Sequence, residues 1–296
     1  MALTRNDLQY CLYAASTAAY RAGHHIMRYY GRDLAVDSKG SAHLAGDVVT
    51  AADKESQEVI LSVLRDVFPA EIGMLSEESD LKDPSRFKKP YFWCIDPLDG
   101  TLPFIERVNG FAVAIALVSQ SGEPVMGVCF LPAYGDLYHA VAGWGAFKNG
   151  RRVAFDASMG QGTVTLSLNP NETIKAERHQ MHAAMAEGIK RIEGVKRVTY
   201  HLHSGAVAKG CFLLENAPAL FAGVPRDGEG ISIWDLAATA CLIKEAGGFV
   251  SDIEGHLLEL NRKDSTYCNH RGFILASHTA LAEAAMAGYH QATARP

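Results

Sequence analysis

Two aspartates separated by two residues follow an apolar stretch in the segment Trp93-Cys94-Ile95-Asp96-Pro97-Leu98-Asp99-Gly100-Thr101. Pro97 fixes its own φ and biases the preceding aspartate toward an extended backbone, and Gly100 permits a close approach that a side chain would forbid. The segment therefore predicts a corner that directs both carboxylates to one point and leaves the amides of Gly100 and Thr101 facing an anion. Such oxygens suit Mg²⁺, which binds a few carboxylates together with water and substrate phosphate. An ordinary turn is the competing interpretation, because Asp-Pro and Asp-Gly are common turn formers.

Two more segments place acids beside predicted secondary structure. Glu77 and Glu78 end an apolar stretch, and Asp235 lies in the first turn of a predicted helix that begins at Ile233. Each segment also has an interpretation without function: two surface glutamates in a solvated loop, or a capping box with Ser232. Taken singly, neither of these two segments indicates a functional site.

The composition predicts a soluble protein with a substantial core. Of the 296 residues 48% are hydrophobic, which suffices for one large domain or two joined ones. The formal net charge is −5 and no basic stretch could neutralise many phosphates, which excludes a nucleic acid polymer as the main partner. A small anionic substrate stays compatible, because a bound metal inverts the local charge of clustered carboxylates.

The cysteines and the apolar runs bear on the compartment. The six cysteines form no CxxC pair and most lie in apolar surroundings, so we expect reduced thiols and a cytoplasmic protein. Residues 1–30 contain no unbroken apolar signal segment, and no apolar run is long enough to cross a bilayer. A membrane partner is therefore not expected.

Helical and strand patterns alternate irregularly, which predicts layered α+β packing. The predicted helices are an opening helix capped by Thr4, a second from Thr50 stopped by Pro69, and two more at 172–187 and 233–246, with mixed strands between these two. Strands are also predicted at 72–75, 92–95, 111–118, 125–131, 137–142 and 273–276, the earlier ones in a largely antiparallel sheet. A polar connection at 156–163 divides the chain into residues 1–155, with Glu77 and Asp96–Thr101, and residues 156–296, with Asp235, which together form one catalytic unit.

In this order and with these neighbours, the three acidic segments closely resemble the signature of the inositol monophosphatase family. The resemblance continues in Asp47-Val48-Val49-Thr50-Ala51-Ala52-Asp53 and in the strand-rich block from Phe111 to Gly150, and it spans most of the chain. Its most specific parts are Asp96–Thr101 and Trp234–Gly248. It implies a layered αβαβα sandwich, hydrolysis of a small phosphate monoester, frequent homodimers and inhibition by lithium.

The resemblance also assigns roles to individual residues. The implied metal ligands, for two or three Mg²⁺ per active site, are the side chains of Glu77, Asp96, Asp99 and Asp235 and the carbonyl of Leu98. Thr101, assisted by Asp47 or Glu77, would orient the attacking water, and the amides of Gly100 and Thr101 would hold the phosphate. Metals roughly 3.5–4 Å apart activate a water and stabilise the leaving oxygen of an in-line displacement, so this scheme requires no nucleophilic side chain.

The substrate-facing segments depart from the family pattern. Leu102-Pro103-Phe104 follows the Asp-Gly-Thr sequence, where polar or small residues are usual, and His203 stands where inositol phosphatases tend to have arginine. Ser204 and Gly205 are candidate substrate contacts. Glu229 is a third, although it lies one place off the acid that binds an inositol hydroxyl in related enzymes. His201 and His203 alternate as in a strand, and surface or core positions are favoured for both over a second metal site.

The leading hypothesis is a magnesium-dependent phosphatase that hydrolyses inositol monophosphate or a similar polyol or sugar phosphate by metal-activated water. A 3'(2'),5'-bisphosphate nucleotidase is the alternative enzyme: Phe104–Arg107 and Asn109-Gly110 resemble that branch, but its usual Lys-Glu pair is replaced by Leu102-Pro103. The resemblance also admits fructose bisphosphatase and histidinol phosphatase activities, and the fold does not choose among them. A non-catalytic regulator on the same fold is the contrasting class, which the joint retention of the acids and Thr101 argues against.

Overall fold

The computed structural model describes residues 2–30, 41–79, 84–160, 162–169, 176–228 and 230–294, and only the backbone of residues 41–50. The helices are α1 Arg5–Ile26, α2 Ser41–Leu64, α3 Ser85–Lys88, α4 Thr101–Ile105, α5 Ala176–Lys190, α6 Ala206–Leu213, α7 Ile233–Glu245 and α8 Thr279–Thr293. The strands are β1 Ile72–Ser76, β2 Tyr91–Asp99, β3 Ala112–Ser119, β4 Pro124–Leu131, β5 Asp136–Val141, β6 Gly145–Lys148, β7 Arg151–Val153, β8 Gly162–Ser167, β9 Val195–His201, β10 Ala219–Gly223, β11 Phe249–Ser251 and β12 Phe273–Ala276. In the described part of the chain, none of the helices combines the length and the apolar character needed to cross a membrane.

Helices α1 and α2 cover one face of a seven-stranded sheet with the order β1-β2-β3-β4-β5-β6-β7. β1 and β2 are parallel, and the later neighbours are antiparallel. Short turns connect the strands from β3 to β7 directly, whereas residues 100–111, which include α4, connect β2 to β3. One such turn is Asn149-Gly150, where both residues have the positive φ of a tight hairpin. α1 begins with a capping box in which Thr4 and Asp7 exchange hydrogen bonds, and its buried face consists mainly of alanines that let it approach the sheet closely.

A five-stranded sheet with the order β11-β12-β10-β8-β9 forms the second β layer. Its outer face is covered by α5 and α8. The backbones of these two helices meet at glycines, since a Cβ on Gly188 or Gly288 would lie 2.1 Å from a carbonyl oxygen of the opposite helix. α6 and α7 fill the middle layer between the two sheets. The layers therefore follow the order αβαβα, which confirms the predicted fold.

Four predictions about elements and domains need correction or stay open. The second helix begins at Ser41, so the prediction of a start at Thr50 is wrong; the Thr50–Asp53 pattern that suggested a cap lies inside α2. The region between α5 and α7 contains the helix α6 as well as strands, whereas only strands were predicted there. The sequence does not indicate α6, because a helix that is buried on all sides has no amphipathic period. The predicted helix start at Glu172 lies outside the described residues, and the division at residue 155 stays a prediction.

Candidate active site

Glu77 reaches the candidate site because β1 and β2 run in parallel. In that register Ser76 pairs with Ile95, so Glu77 at the end of β1 lies beside Asp96 of β2. The Glu77 amide extends the pairing by donating to the Ile95 carbonyl at 3.2 Å. The Glu77 residue as a whole is exposed, but its carboxyl group is partly enclosed. Burial raises the pKa of this carboxyl group to about 7, and a hydrogen bond from Asp96 partly offsets the increase.

Asp96 and Asp99 face the same side of the sheet because a bulge interrupts β2. In a regular strand, positions three residues apart point to opposite faces. Asp96 pairs with Ala114 and Asp99 with Ala112, so two residues of β2 oppose one residue of β3. The Leu98 amide closes this bulge by donating to Asp96 Oδ1 at 3.0 Å. The predicted corner after a strand is therefore a bulge within a strand that continues to Asp99.

The N-terminus of α6 holds the Asp99 carboxylate. The amides of Ala206 and Val207 donate to its Oδ1 at 3.0 Å and its Oδ2 at 2.8 Å. Gly205, the N-cap, packs so closely that a Cβ there would lie 2.1 Å from Asp99 Oδ2. Burial is the largest influence and raises the pKa of Asp99 to about 6, while the Lys209 ammonium and the amide donors work against it.

Asp235 enters the site from the first turn of α7. Its Oδ2 accepts a hydrogen bond from the Ser232 amide at 2.7 Å, so the residue also caps the helix. The same Asp235 side chain can therefore cap α7 and belong to the acidic cluster. Burial, followed by the neighbouring Asp99 charge, raises the pKa of Asp235 to about 8.

Carboxylate oxygens of Asp96, Asp99 and Asp235 all lie within 4.8 Å of one another. Burial, followed by the charges of Glu77, Asp99 and Asp235, raises the pKa of Asp96 well above its ordinary value. Among the residues that the structure describes, this cluster holds carboxylates and neither thiol nor imidazole. Such a donor set fits a hard divalent cation such as Mg²⁺, which would relieve the repulsion between the ionised acids.

The other predicted site residues surround this cluster or fall outside the description. Gly100 caps α4 with a φ of 85°, and a Cβ on it would lie 3.0 Å from the Gly110 carbonyl oxygen, so two independent constraints favour glycine. Thr101 is the exposed first residue of α4, and the Leu98 carbonyl belongs to the β2 bulge. The side chain of Asp47 and the whole of Glu229 lie outside the described residues.

A cavity of about 510 Å³ opens onto Asp99 and Asp235. Among the side chains that line it, Leu102, Val108 and Leu202 are apolar, and Ser204 and Gly205 contribute as predicted candidates. The two histidines differ: His201 lies 3.0 Å from the Ser204 Oγ, and His203 is exposed on the cavity wall. Neither belongs to the acidic cluster of the described residues.

Lys209 and Arg226 are candidate functional residues that the sequence analysis missed. Lys209 is fully buried in α6, its Nζ donates to the Ser204 carbonyl, and burial lowers its pKa to about 8. A lone lysine within the apolar run of residues 206–213 was the available signal, because lysine is rarely buried without a partner. Arg226 lines the cavity and had no comparable signal in its sequence neighbourhood.

The metal-free protein is expected to lose stability as the pH rises from 6.5 to 8. Asp235 and Glu77, with folded pKa values of about 8 and about 7, keep protons in this window that the unfolded chain has already released. A difference of one proton lowers the unfolding free energy by about 1.4 kcal/mol per pH unit, which corresponds to roughly 2–4 °C in Tm. Buried His182 (pKa about 4) and Lys209 (pKa about 8) contribute in the opposite direction, His182 mainly at the lower end of this window and Lys209 mainly at its upper end, so the loss should be steepest near the middle.

Melting curves in chelator at several pH values check this expectation. Asp235→Asn is the matched control and should show a smaller loss of Tm across the same window, since it lacks one of the titrating groups. Equal slopes for the two proteins would contradict the assignment of a raised pKa to Asp235.

Known proteins are similar to this chain in sequence and in architecture. The model of the inositol monophosphatase family matches residues 7–294. An inositol-1-monophosphatase of Mesorhizobium japonicum is 34% identical over 250 residues, which cover 80% of this chain and 84% of that protein. The 3'(2'),5'-bisphosphate nucleotidase CysQ of Aggregatibacter actinomycetemcomitans is 28% identical over 256 residues, covering 83% and 86% of the two chains. The extragenic suppressor protein suhB of Bartonella henselae, a crystal structure, aligns with a TM-score of 0.68 and 25% identity over 95% of this chain and 99% of that one. The chain therefore belongs to the inositol monophosphatase family of phosphoric monoester hydrolases.

Proposed function

We propose that this chain hydrolyses inositol monophosphate, or a similar polyol or sugar phosphate, in a Mg²⁺-dependent reaction. The observation that carries the proposal is the convergence of Asp96, Asp99 and Asp235 within 4.8 Å, next to a cavity that Asp99 and Asp235 line. The relative from Mesorhizobium japonicum, named an inositol-1-monophosphatase, supports the substrate class.

The proposed roles are those that the family resemblance implies for these residues. The groups proposed to hold two or three Mg²⁺ are Glu77, Asp96, Asp99, Asp235 and the Leu98 carbonyl. When bound, Mg²⁺ would lower the pKa of water and neutralise charge on the phosphoryl group. Thr101 at the exposed start of α4 would orient the water, with Asp47 or Glu77 accepting its hydroxyl proton, and the amides of Gly100 and Thr101 would bind the phosphate.

A bisphosphate nucleotidase is the second candidate, and the cavity wall supports it. Arg226 offers a cation for a second phosphate, and Leu102, Val108 and Leu202 offer an apolar surface for a base. The relative from Aggregatibacter actinomycetemcomitans carries the name of this activity.

Activity is expected to require Mg²⁺, to disappear in chelator and to return when Mg²⁺ is restored, because the donor set is carboxylate oxygen. Turnover of inositol monophosphate, phosphoadenosine phosphate, fructose bisphosphate and histidinol phosphate, each with and without chelator, tests the proposal. Full activity in metal-free buffer would contradict it. A preference for phosphoadenosine phosphate that Arg226→Gln selectively weakens would favour the second candidate instead.

Assembly, inhibition and compartment are further parts of the proposal. A homodimer is proposed from the family resemblance. The six cysteines are free and buried, which supports a reducing, cytoplasmic compartment. Inhibition by lithium is proposed from the family resemblance.

A further inference from the structure

Gln57 of α2 is a buried residue whose side-chain amide, within the part of the chain that the structure describes, makes its hydrogen bonds to one short segment. Its side-chain oxygen accepts from Ser76 Oγ at 2.5 Å and from Ser79 Oγ at 3.3 Å. Its side-chain nitrogen donates to the Glu78 carbonyl at 3.2 Å. The residue is only 7% exposed, so water does not readily replace these partners.

The segment that Gln57 holds, Ser76 to Ser79, contains Glu77. Unlike Asp96 and Asp99, Glu77 is exposed, and it is not a member of the compact carboxylate cluster. The position of its carboxyl group beside Asp96 therefore depends on the conformation of the segment, in which the Glu77 amide donates to the Ile95 carbonyl. Gln57 contacts this segment on both sides of Glu77.

The neighbouring residue of α2 holds the other acid-bearing segment. Ser56 is fully buried and donates from Oγ to the Pro97 carbonyl at 2.8 Å, within the bulge between Asp96 and Asp99. Two consecutive residues of one helix thus tie the end of β1 and the bulge of β2 to a single rigid element.

We propose that Gln57 is a positioning residue that holds the Glu77 segment beside Asp96 and thereby sets the affinity of the site for divalent cations. This inference rests on the metal-dependent function proposed above. Without the amide, the segment can adopt other conformations, and metal binding must then restore the ordered one. Gln57→Met, which keeps the side-chain volume and removes the hydrogen bonds, is expected to weaken Mn²⁺ and Mg²⁺ binding on the order of 10–100-fold.

Metal binding is measured without reference to turnover, by electron paramagnetic resonance of free Mn²⁺ and by the rise in Tm of metal-free protein titrated with Mg²⁺. Turnover gives a second readout: the Mg²⁺ concentration for half-maximal activity should rise, while turnover at saturating Mg²⁺ stays within about threefold of the wild type, as for lost metal affinity alone. Gln120→Met is the matched control, because Gln120 donates to the Phe87 carbonyl away from the cavity. It should leave the Mn²⁺ affinity unchanged.

Ser76→Ala is the second variant and tests the positioning role of Gln57 if Gln57→Met does not fold. It removes the shortest hydrogen bond of the Gln57 side chain, the one that Ser76 Oγ donates. Weaker Mn²⁺ binding in the variants, together with an unchanged control, supports the positioning role. Wild-type Mn²⁺ affinity in Gln57→Met or Ser76→Ala, even with a lower Tm, would overturn it. A wild-type protein that binds no Mn²⁺ would instead contradict the proposed function itself.

Discussion

Asp96→Asn is expected to lower turnover at saturating Mg²⁺ on the order of 10²-fold or more, by analogy with other losses of transition-state charge stabilisation. Asp96 lies at the centre of the acidic cluster, and its pKa is raised by burial and by the charges of Glu77, Asp99 and Asp235. Asparagine keeps the side-chain volume, and its oxygen can still accept from the Leu98 amide, which closes the bulge at 3.0 Å. The variant therefore changes the charge of the site more than its shape.

The melting temperature of metal-free Asp96→Asn separates a lost site from a lost fold. Because removal of one of several crowded carboxylates relieves repulsion, this temperature should equal or exceed that of the wild type. Asp136→Asn is the matched control. Asp136 lies on β5 outside the cavity and forms an ion pair of 2.9 Å with Lys148 of β6, so this substitution should leave turnover unaffected. Near-normal turnover of Asp96→Asn with a normal melting curve would remove Asp96 from the site.

Gly205→Ala is expected to reduce turnover on the order of 10²-fold, the loss typical of a misplacement of about 1 Å in an active site. The added methyl would lie 2.1 Å from Asp99 Oδ2, so either the carboxylate or the N-terminus of α6 must move. Either movement disturbs the hydrogen bonds from the amides of Ala206 and Val207. The backbone of Gly205, with φ of −62° and ψ of 167°, suits alanine, so the overlap alone accounts for the effect.

A double-mutant comparison tests this explanation. The overlap should also lower the unfolding free energy by roughly 1–3 kcal/mol, and this loss should shrink in an Asp99→Ala background, where the clashing oxygens are absent. Denaturant unfolding of the four proteins measures both losses. Equal losses in the two backgrounds would show that the strain lies elsewhere than at Asp99.

Local patterns along the chain were sufficient for the elements whose signal is carried by neighbouring residues. The capping box of α1, the hairpin at Asn149-Gly150 and the helix that carries Asp235 each depend on residues a few positions apart. The family and the layered fold also followed from the sequence, because the acidic segments keep a specific order and specific neighbours. The identity of the candidate acids was therefore available before any coordinates.

Features that depend on contacts between residues far apart in the sequence could not be predicted in this way. α6 is buried in the middle layer, so its apolar residues show no helical period, and the structural use of Lys209 depends on partners that only folding provides. The start of α2 was misplaced because a capping pattern at Thr50 also occurs inside a helix. Gln57 resembles an ordinary surface residue until its contacts with the Glu77 segment are known.

The geometry of the acids was decided by tertiary structure alone. A spacing of three along a strand would send Asp96 and Asp99 to opposite faces, and only the extra residue of the bulge against β3 returns both to the middle layer. Glu77 joins them through parallel pairing of β1 with β2, and Asp235 through the packing of α7 between the sheets. The sequence by itself determined which carboxylates were available, whereas the approach of Asp96, Asp99 and Asp235 to within 4.8 Å needed long-range pairing, because the repulsion of buried acids must be offset by the packing of the whole fold.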